Sequence, residues 1–303
     1  MSNRQTASFL IKRFKEVGLN PDKRRGQNFL IDLNLIHLLA TSAELTPSDV
    51  VLEVGTGLGS LTGIMANQAA AIVTVELDAH LYQLAAEELA ESKNVVMLLQ
   101  DALRNKNNLH ANVLTEVERQ LAVDPSRQFK LVSNLPYNIA TPVISNLLST
   151  PITPRSMTVT IQKELADRIT AAPRTKDYSA LSIWIQSQCD ARTVRVMSPS
   201  VFWPRPKVDS AIVHIRLNEQ KRSRIADRDF FHQFVRSMFF HRRKFLRSVL
   251  LSAYKGKITK PQADDILAAE GLSGQVRAEE LTPEQMLALS DRTQLTITAA
   301  TSP

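Results

Sequence analysis

Val50-Val51-Leu52-Glu53-Val54-Gly55-Thr56-Gly57-Leu58-Gly59-Ser60 is an apolar run that breaks at once into a glycine-rich loop. A short apolar run bounded by glycines reads as a buried strand. Ser60 to about Ala69 then reads as a helix. A strand, a glycine loop and a helix in that order let backbone N–H groups approach a ligand closely. A tight turn alone would also explain the glycines. Ser60 breaks the G-x-G-x-x-G spacing of a dinucleotide site, which argues against NAD.

The same pattern repeats outward. Ala71 to Val75 reads as a second strand that ends at Glu76, and Val95 to Leu99 as a third that ends at Gln100-Asp101. Phe129 to Val132 is a fourth, running into Asn134-Leu135-Pro136-Tyr137, and Met157 to Ile161 a fifth. Ala191 to Val196 and Ser210 to Arg216 complete the strands, the last suited to a place near an edge. Helices are expected from Asp32, as a cap, to Ala43, and at 80–92, 109–121, 142–148, 162–171 and 179–187. Alternating strands and helices imply an α/β fold, Rossmann-like, with a mainly parallel sheet. Residues 2–20 read as a helical lead-in, followed by a basic loop at Lys23-Arg24-Arg25.

The charged stretch 218–229 marks a domain boundary, giving residues 1–217 as the catalytic domain and 218–303 as a small all-helical one. Phe230, Phe231, Phe234, Val235, Met238 and Phe239 form an apolar helical stripe. Thr282-Pro283-Glu284-Gln285 has the pattern of a capping box opening a final helix.

The 303 residues carry a net charge of +7, which favours a polyanionic partner such as nucleic acid. One cysteine, Cys189, forbids an internal disulfide and suits a reducing cytoplasm. The scattered histidines suggest no metal site. The uncharged run Leu131 to Pro154 contains prolines and asparagines and is not read as a membrane span.

Carboxylates and amides at successive strand ends define the chemistry. Glu76 can accept hydrogen bonds from a ribose diol, and Asp101 from an adenine amino group. Either could instead be an ordinary surface acid. Asn134 and the carbonyls of Leu135 or Pro136 can accept from an exocyclic amine whose ring Tyr137 holds. Together these make S-adenosylmethionine the best cofactor reading, with transfer of its methyl to an amine nitrogen. Positioning the amine lone pair supplies much of the rate, and no strong base is needed.

With those residues in view, the chain resembles the ribosomal RNA adenine N6,N6-dimethyltransferase family, and within it the KsgA/RsmA branch acting on small-subunit rRNA. The resemblance spans about Lys23 to Ser290. It rests on Gly26-Gln27-Asn28-Phe29-Leu30, Leu52 to Thr62, Asn134 to Ile139, and Phe202-Trp203-Pro204-Arg205-Pro206-Lys207-Val208-Asp209-Ser210. It implies a class I methyltransferase fold and dimethylation of two adjacent adenines near the 3′ end of 16S rRNA, within the small ribosomal subunit or its precursor. Asn28 and Leu30 would close over the methionine and sulfonium end. Gly55 and Gly57 would form the cofactor loop, with Gly55 at the methionine moiety. Tyr137 and Phe202 would stack on the flipped adenine.

Arg242, Arg243 and Lys244 match the family's basic stretch on a C-terminal helix and, together with Arg247, would bind RNA; a solvated helix face is the plainer account. Thr56 departs from the usual Pro, which puts loop stiffness in question, and the 102–129 segment looks longer than usual. The chain is expected to act as a monomer in the cytoplasm. A large-subunit rRNA adenine methylase, and a non-catalytic RNA-binding assembly factor with a relic pocket, are the competing functions.

Overall fold

A computed structural model describes residues 26–301 together with Ser8, Ile11, Lys12, Phe14 and Pro21. Most of the expected lead-in helix and the Lys23-Arg24-Arg25 run lie outside the described residues; Ser8, Ile11, Lys12 and Phe14 are helical. The chain divides into two compact units. The first comprises Met1–Ala166 and Arg192–Arg216, the second Asp167–Ala191 and Leu217–Pro303.

In the first unit, β1 (Phe29–Leu30) leads to α1 (Leu33–Ser42), which Asp32 caps by accepting from the Asn34 and Leu35 N–H groups. Then come β2 (Asp49–Val54), α2 (Ser60–Ala66), β3 (Ala71–Glu76), α3 (Ala79–Glu88) and β4 (Val95–Leu99). A short hairpin, β5 (Leu103–Asn105) and β6 (Asn108–Leu109), precedes α4 (Ala111–Leu121), β7 (Gln128–Asn134), α5 (Ala140–Leu147) and β8 (Ser156–Gln162). After α6 (Lys163–Thr170) and α7 (Ala180–Gln186) the chain returns through β9 (Cys189–Met197), β10 (Phe202–Trp203) and β11 (Ser210–Leu217).

Seven strands form one sheet in the order β4-β3-β2-β7-β8-β11-β9. The pairs from β4 through β8 are parallel, and β11 runs antiparallel to β8. Every residue of β2 and β3 is buried, as expected for central strands covered on both faces. Chain order reverses between β2 and β7, where a doubly wound sheet opens a ligand crevice. The β2–β7 ladder stops at Leu52–Leu131, while β7 stays paired with β8 as far as Asn134–Thr160. The two strand ends therefore part, and the Ser133 hydroxyl bridges them by donating to the Val54 carbonyl at 2.7 Å.

Two features were not anticipated: the β5–β6 hairpin inside the 102–129 segment, and a ribbon in which β1 pairs antiparallel with β10. Two-residue strands carry too little periodicity to be read. The main sheet has β4 at one edge and β9 at the other, with β11 one strand inside β9.

The second unit contains α7, a short α8 (Glu219–Arg222), α9 (Arg228–Phe240), α10 (Leu246–Ala253), α11 (Lys260–Ala269) and α12 (Pro283–Thr301). Its boundary differs from the single cut expected at residue 217, because residues 167–191 group with the C-terminal helices. The reason is burial: Trp184 on α7 stacks on His232 of α9 at 4.3 Å, and the Tyr178 hydroxyl donates to the Leu281 carbonyl at 2.9 Å. Periodicity finds α7 but does not say which core it joins. The expected apolar stripe buries Phe231, Phe234, Val235 and Met238. The capping box forms too: Gln285 accepts from the Thr282 N–H at 3.0 Å, and Thr282 accepts from the Gln285 N–H at 3.2 Å. No described helix is long and apolar enough to cross a membrane.

Candidate active site

A cavity of about 260 Å³ opens at the carboxyl ends of β2, β3, β4 and β7. Gly55, Gly57, Glu76, Asp101, Asn28, Leu30, Asn134, Leu135 and Pro136 all line it, so one crevice gathers residues scattered over four strand ends. Gly55 has φ +89°, and a Cβ there would meet the Pro136 ring carbons at 3.3 Å. Glycine thus serves both the left-handed backbone and the close packing of this loop on the Asn-Leu-Pro-Tyr turn.

Glu76 ends β3 and is only 6% exposed. Its Oε2 accepts the Gly57 N–H at 3.0 Å, and its Oε1 accepts those of Leu77 and Asp78 at 2.9 and 3.0 Å. Burial raises its carboxyl above the ordinary range, opposed by these three backbone donors. A carboxylate offers about four lone-pair sites. With three taken, one acceptor site is left open, to which a ribose hydroxyl would donate.

Asp101 is exposed, and its Oδ1 accepts the Leu103 N–H at 2.8 Å. Gln100 beside it also lines the cavity, and its buried Nε2 has no hydrogen-bond partner among the described residues. An adenine amino group would satisfy Asp101, and a ring nitrogen the orphaned amide. The donor and acceptor set fits an adenosine-bearing cofactor, with the carboxylates at its sugar and base. Gln100 was legible only as a strand end.

Beneath the loop lies a polar network that sequence reading missed. Thr62 donates to Glu53 Oε2 at 2.5 Å and Thr74 at 2.8 Å, while Thr74 and Thr56 share a hydrogen bond of 2.6 Å. Thr56 is therefore tied to β3 by its hydroxyl, a restraint on loop stiffness of a different kind from a Pro ring. Burial pushes the Glu53 carboxyl up to about 8 from an ordinary 4.5. The folded state then keeps this proton to about pH 8, whereas the unfolded chain releases it near pH 4.5, so this group's contribution to stability falls as pH rises through that window. Glu53→Gln should remove the dependence. In thermal melts its advantage over the unmodified protein should grow by roughly a few degrees per pH unit between those limits. A gap that does not change with pH would mean that Glu53 is already ionised in the fold.

Asn134 closes β7. Its Nδ2 donates to the Asn28 carbonyl at 3.0 Å, which fixes the amide and leaves Oδ1 as an acceptor. The Pro136 carbonyl accepts the Ile139 N–H at 3.1 Å, whereas no described residue donates to the Leu135 carbonyl. The two carbonyl alternatives left open by the sequence are thus unequal. Asn28 and Leu30 sit on a strap pinned by the β1–β10 ribbon, and Phe29 between them meets Phe14 at 5.2 Å.

Tyr137 is half-buried, and its hydroxyl pairs with Ser210 at the start of β11. Burial raises its pKa, with the Ser210 bond opposing. Phe202 departs from expectation. It is 2% exposed and packs in an apolar cluster with Leu30, Ile36 and Met197, so its ring serves the core and has no open face for a base. Register explains this: Phe202 pairs with buried Leu30 across the ribbon.

The basic stretch belongs to the second unit. Helix α9 stops at Phe240, so Arg242, Arg243 and Lys244 lie in the turn before α10 and not on a helix as expected. No glycine or proline marks this stop. His241 leaves helical geometry at φ −120°, ψ 62°. Arg242 pairs with Glu279, and Arg247 holds Asp264 through two bonds of 2.5 and 2.6 Å. Arg243 and Lys244 are exposed, with no acidic partner among the described residues. No group of three His, Cys, Asp or Glu among the described residues could hold a metal.

A family model for ribosomal RNA adenine dimethylase matches residues 18–295. The chain belongs to that family. It is 37% identical over 270 residues to a ribosomal RNA small subunit methyltransferase A of Clostridium acetobutylicum, covering 89% of this chain and 92% of that protein. A protein of the same description from Geobacillus sp. is 36% identical over 281 residues, covering 92% and 94%. The fold matches a dimethyladenosine transferase from Plasmodium falciparum with TM-score 0.71 and 23% identity, over 85% of this chain and 94% of that one. It also matches the 23S rRNA methyltransferase ErmE at TM-score 0.60 and 26% identity, over 88% and 99%. The curated relatives are small-subunit enzymes at 35–37% identity, which favours that branch of the family over the large-subunit one.

Proposed function

We propose that this chain transfers methyl groups from S-adenosylmethionine to N6 of two adjacent adenines near the 3′ end of 16S rRNA, in the small ribosomal subunit or its precursor. The observation that carries this is the fixed Asn134 amide, its Oδ1 free, in the same cavity as Glu76 and Asp101. Loss of dimethyladenosine from 16S rRNA in cells lacking the gene, read by mass spectrometry, tests it; unchanged rRNA would refute it. The net charge of +7 suits the RNA, and the lone buried Cys189 suits a reducing cytoplasm. We read the protein as a monomer there.

S-adenosylmethionine, when bound, supplies an electrophilic methyl group on a positively charged sulfur. Gly55 and Gly57 with the Asn28–Leu30 strap would hold its amino-acid end, Glu76 its ribose and Asp101 its adenine. The protein's part in the reaction is to orient the amine. Lone-pair density on an adenine amino nitrogen is delocalised into the ring. In the first transfer, acceptance of its two N–H groups by Asn134 Oδ1 and the Leu135 carbonyl turns the remaining density toward the donor; in the second, the one N–H left is held by a single acceptor, again an effect of positioning. The product ammonium is acidic and loses its proton to water, so no general base is required. The adenine must leave its stack to enter.

Tyr137 is read as the aromatic wall for that base, with Ser210 holding its hydroxyl. Tyr137→Ala should lose adenine capture, measured with a fluorescent adenine analogue, and kcat/KM with it. Tyr137→Phe and Ser210→Ala should each cost only a few-fold, and the double variant no more than either alone, because they break one shared bond. A Tyr137→Phe variant as inactive as Tyr137→Ala would refute stacking and point to the hydroxyl.

A further inference from the structure

The last residue of α9 is almost bare. Phe240 is 80% exposed, more than any other described large hydrophobic side chain. His241 stands edge-on to it, ring centres 4.9 Å apart at 81°. On the same turn Arg243 and Lys244 are exposed and free of acidic partners among the described residues, unlike Arg242 and Arg247. Phe245, 43% exposed, already carries the Arg277 guanidinium 5.8 Å above its ring.

An exposed ring beside unpaired cations matches an unpaired nucleotide: the base stacks on the ring and its phosphates meet the cations. We propose that Phe240 is a stacking platform for an unpaired rRNA base, with Arg243 and Lys244 on the flanking phosphates. This rests on the rRNA reading above and adds a site outside the catalytic crevice. The exposed ring contributes little to the core, so its substitution should leave folding intact.

The experiment titrates the full chain with a 16S rRNA 3′-end fragment across a salt series. Phe240→Ala should weaken binding roughly tenfold at every salt concentration without changing the slope, because stacking releases no counterions. Phe240→Trp should keep the affinity, and its added fluorescence should be quenched by the fragment but not by a fully paired duplex. Arg243→Gln with Lys244→Gln should flatten the slope. Wild-type affinity for the fragment in Phe240→Ala overturns the platform. Salt-independent, negligible binding by the unmodified chain would instead sink the rRNA reading itself.

Discussion

Asn134→Ala is expected to lower turnover by roughly a hundredfold or more while leaving rRNA affinity within about twofold. Removing one preorganised hydrogen-bonding group from a reacting centre typically costs about that much. The bond forms chiefly as the amine pyramidalises, so the loss should fall on kcat and kcat/KM together and spare binding. The Asn134 side chain also anchors the strap, through its 3.0 Å bond to the Asn28 carbonyl. A second effect is therefore expected, a modest weakening of S-adenosylmethionine, whose methionine end the Asn28 strap is proposed to hold. Asn134→Asp separates the two. It keeps an acceptor toward the amine but presents oxygen, not N–H, to the Asn28 carbonyl, so it should weaken the cofactor more than Asn134→Ala does. Single-turnover kinetics with titration of both ligands decides. If Asn134→Ala turns over at near-wild-type rate, the amine is oriented by something else.

The sheet was readable because its central strands are short apolar runs ending in glycine or acid, and each end marks a place in one crevice. Asn134, Glu76 and Asp101 were legible on that ground. What escaped was encoded in pairing rather than in periodicity. The β1–β10 ribbon has two residues per strand, and it is this pairing that buries Phe202 beside Leu30 and removes it from the base-stacking set. The Thr56–Thr74–Glu53–Thr62 network joins residues up to 21 positions apart, none conspicuous alone. Ser210 was quoted in a family block without a role, which its bond to Tyr137 supplies. In the C-terminal unit, helical reading carried the Arg242–Lys244 run through a turn that lacks a stop residue, and did not set apart Phe240, which ends the helix just before that turn as the barest large hydrophobic side chain described.

Glu76→Ala carries the other large effect, and it is a double one. Sequence alone suggests a cofactor ligand at the surface of a strand end, whose loss spares folding. The structure shows a buried carboxylate that accepts three backbone N–H groups and ties the glycine loop to the turn after β3. Each such buried donor left without a partner costs about 1–3 kcal/mol, reduced where water can replace the carboxylate. A fall in melting temperature of roughly 5 °C or more is therefore expected without any ligand. Cofactor affinity should drop further, since a charge-assisted bond to a ribose hydroxyl contributes about 1.5–3 kcal/mol and the Gly57 backbone loses its tether. Glu76→Gln distinguishes the two parts. Its amide can accept at one end only, so it should recover part of the stability while remaining weak toward the ribose. Calorimetric titration with S-adenosylmethionine, alongside melts of each variant, gives both numbers. Unaltered affinity in a folded Glu76→Ala protein would remove Glu76 from the cofactor site. An unaltered melting temperature would show instead that water replaces the carboxylate at the three N–H groups, leaving Glu76 a ligand for the ribose alone.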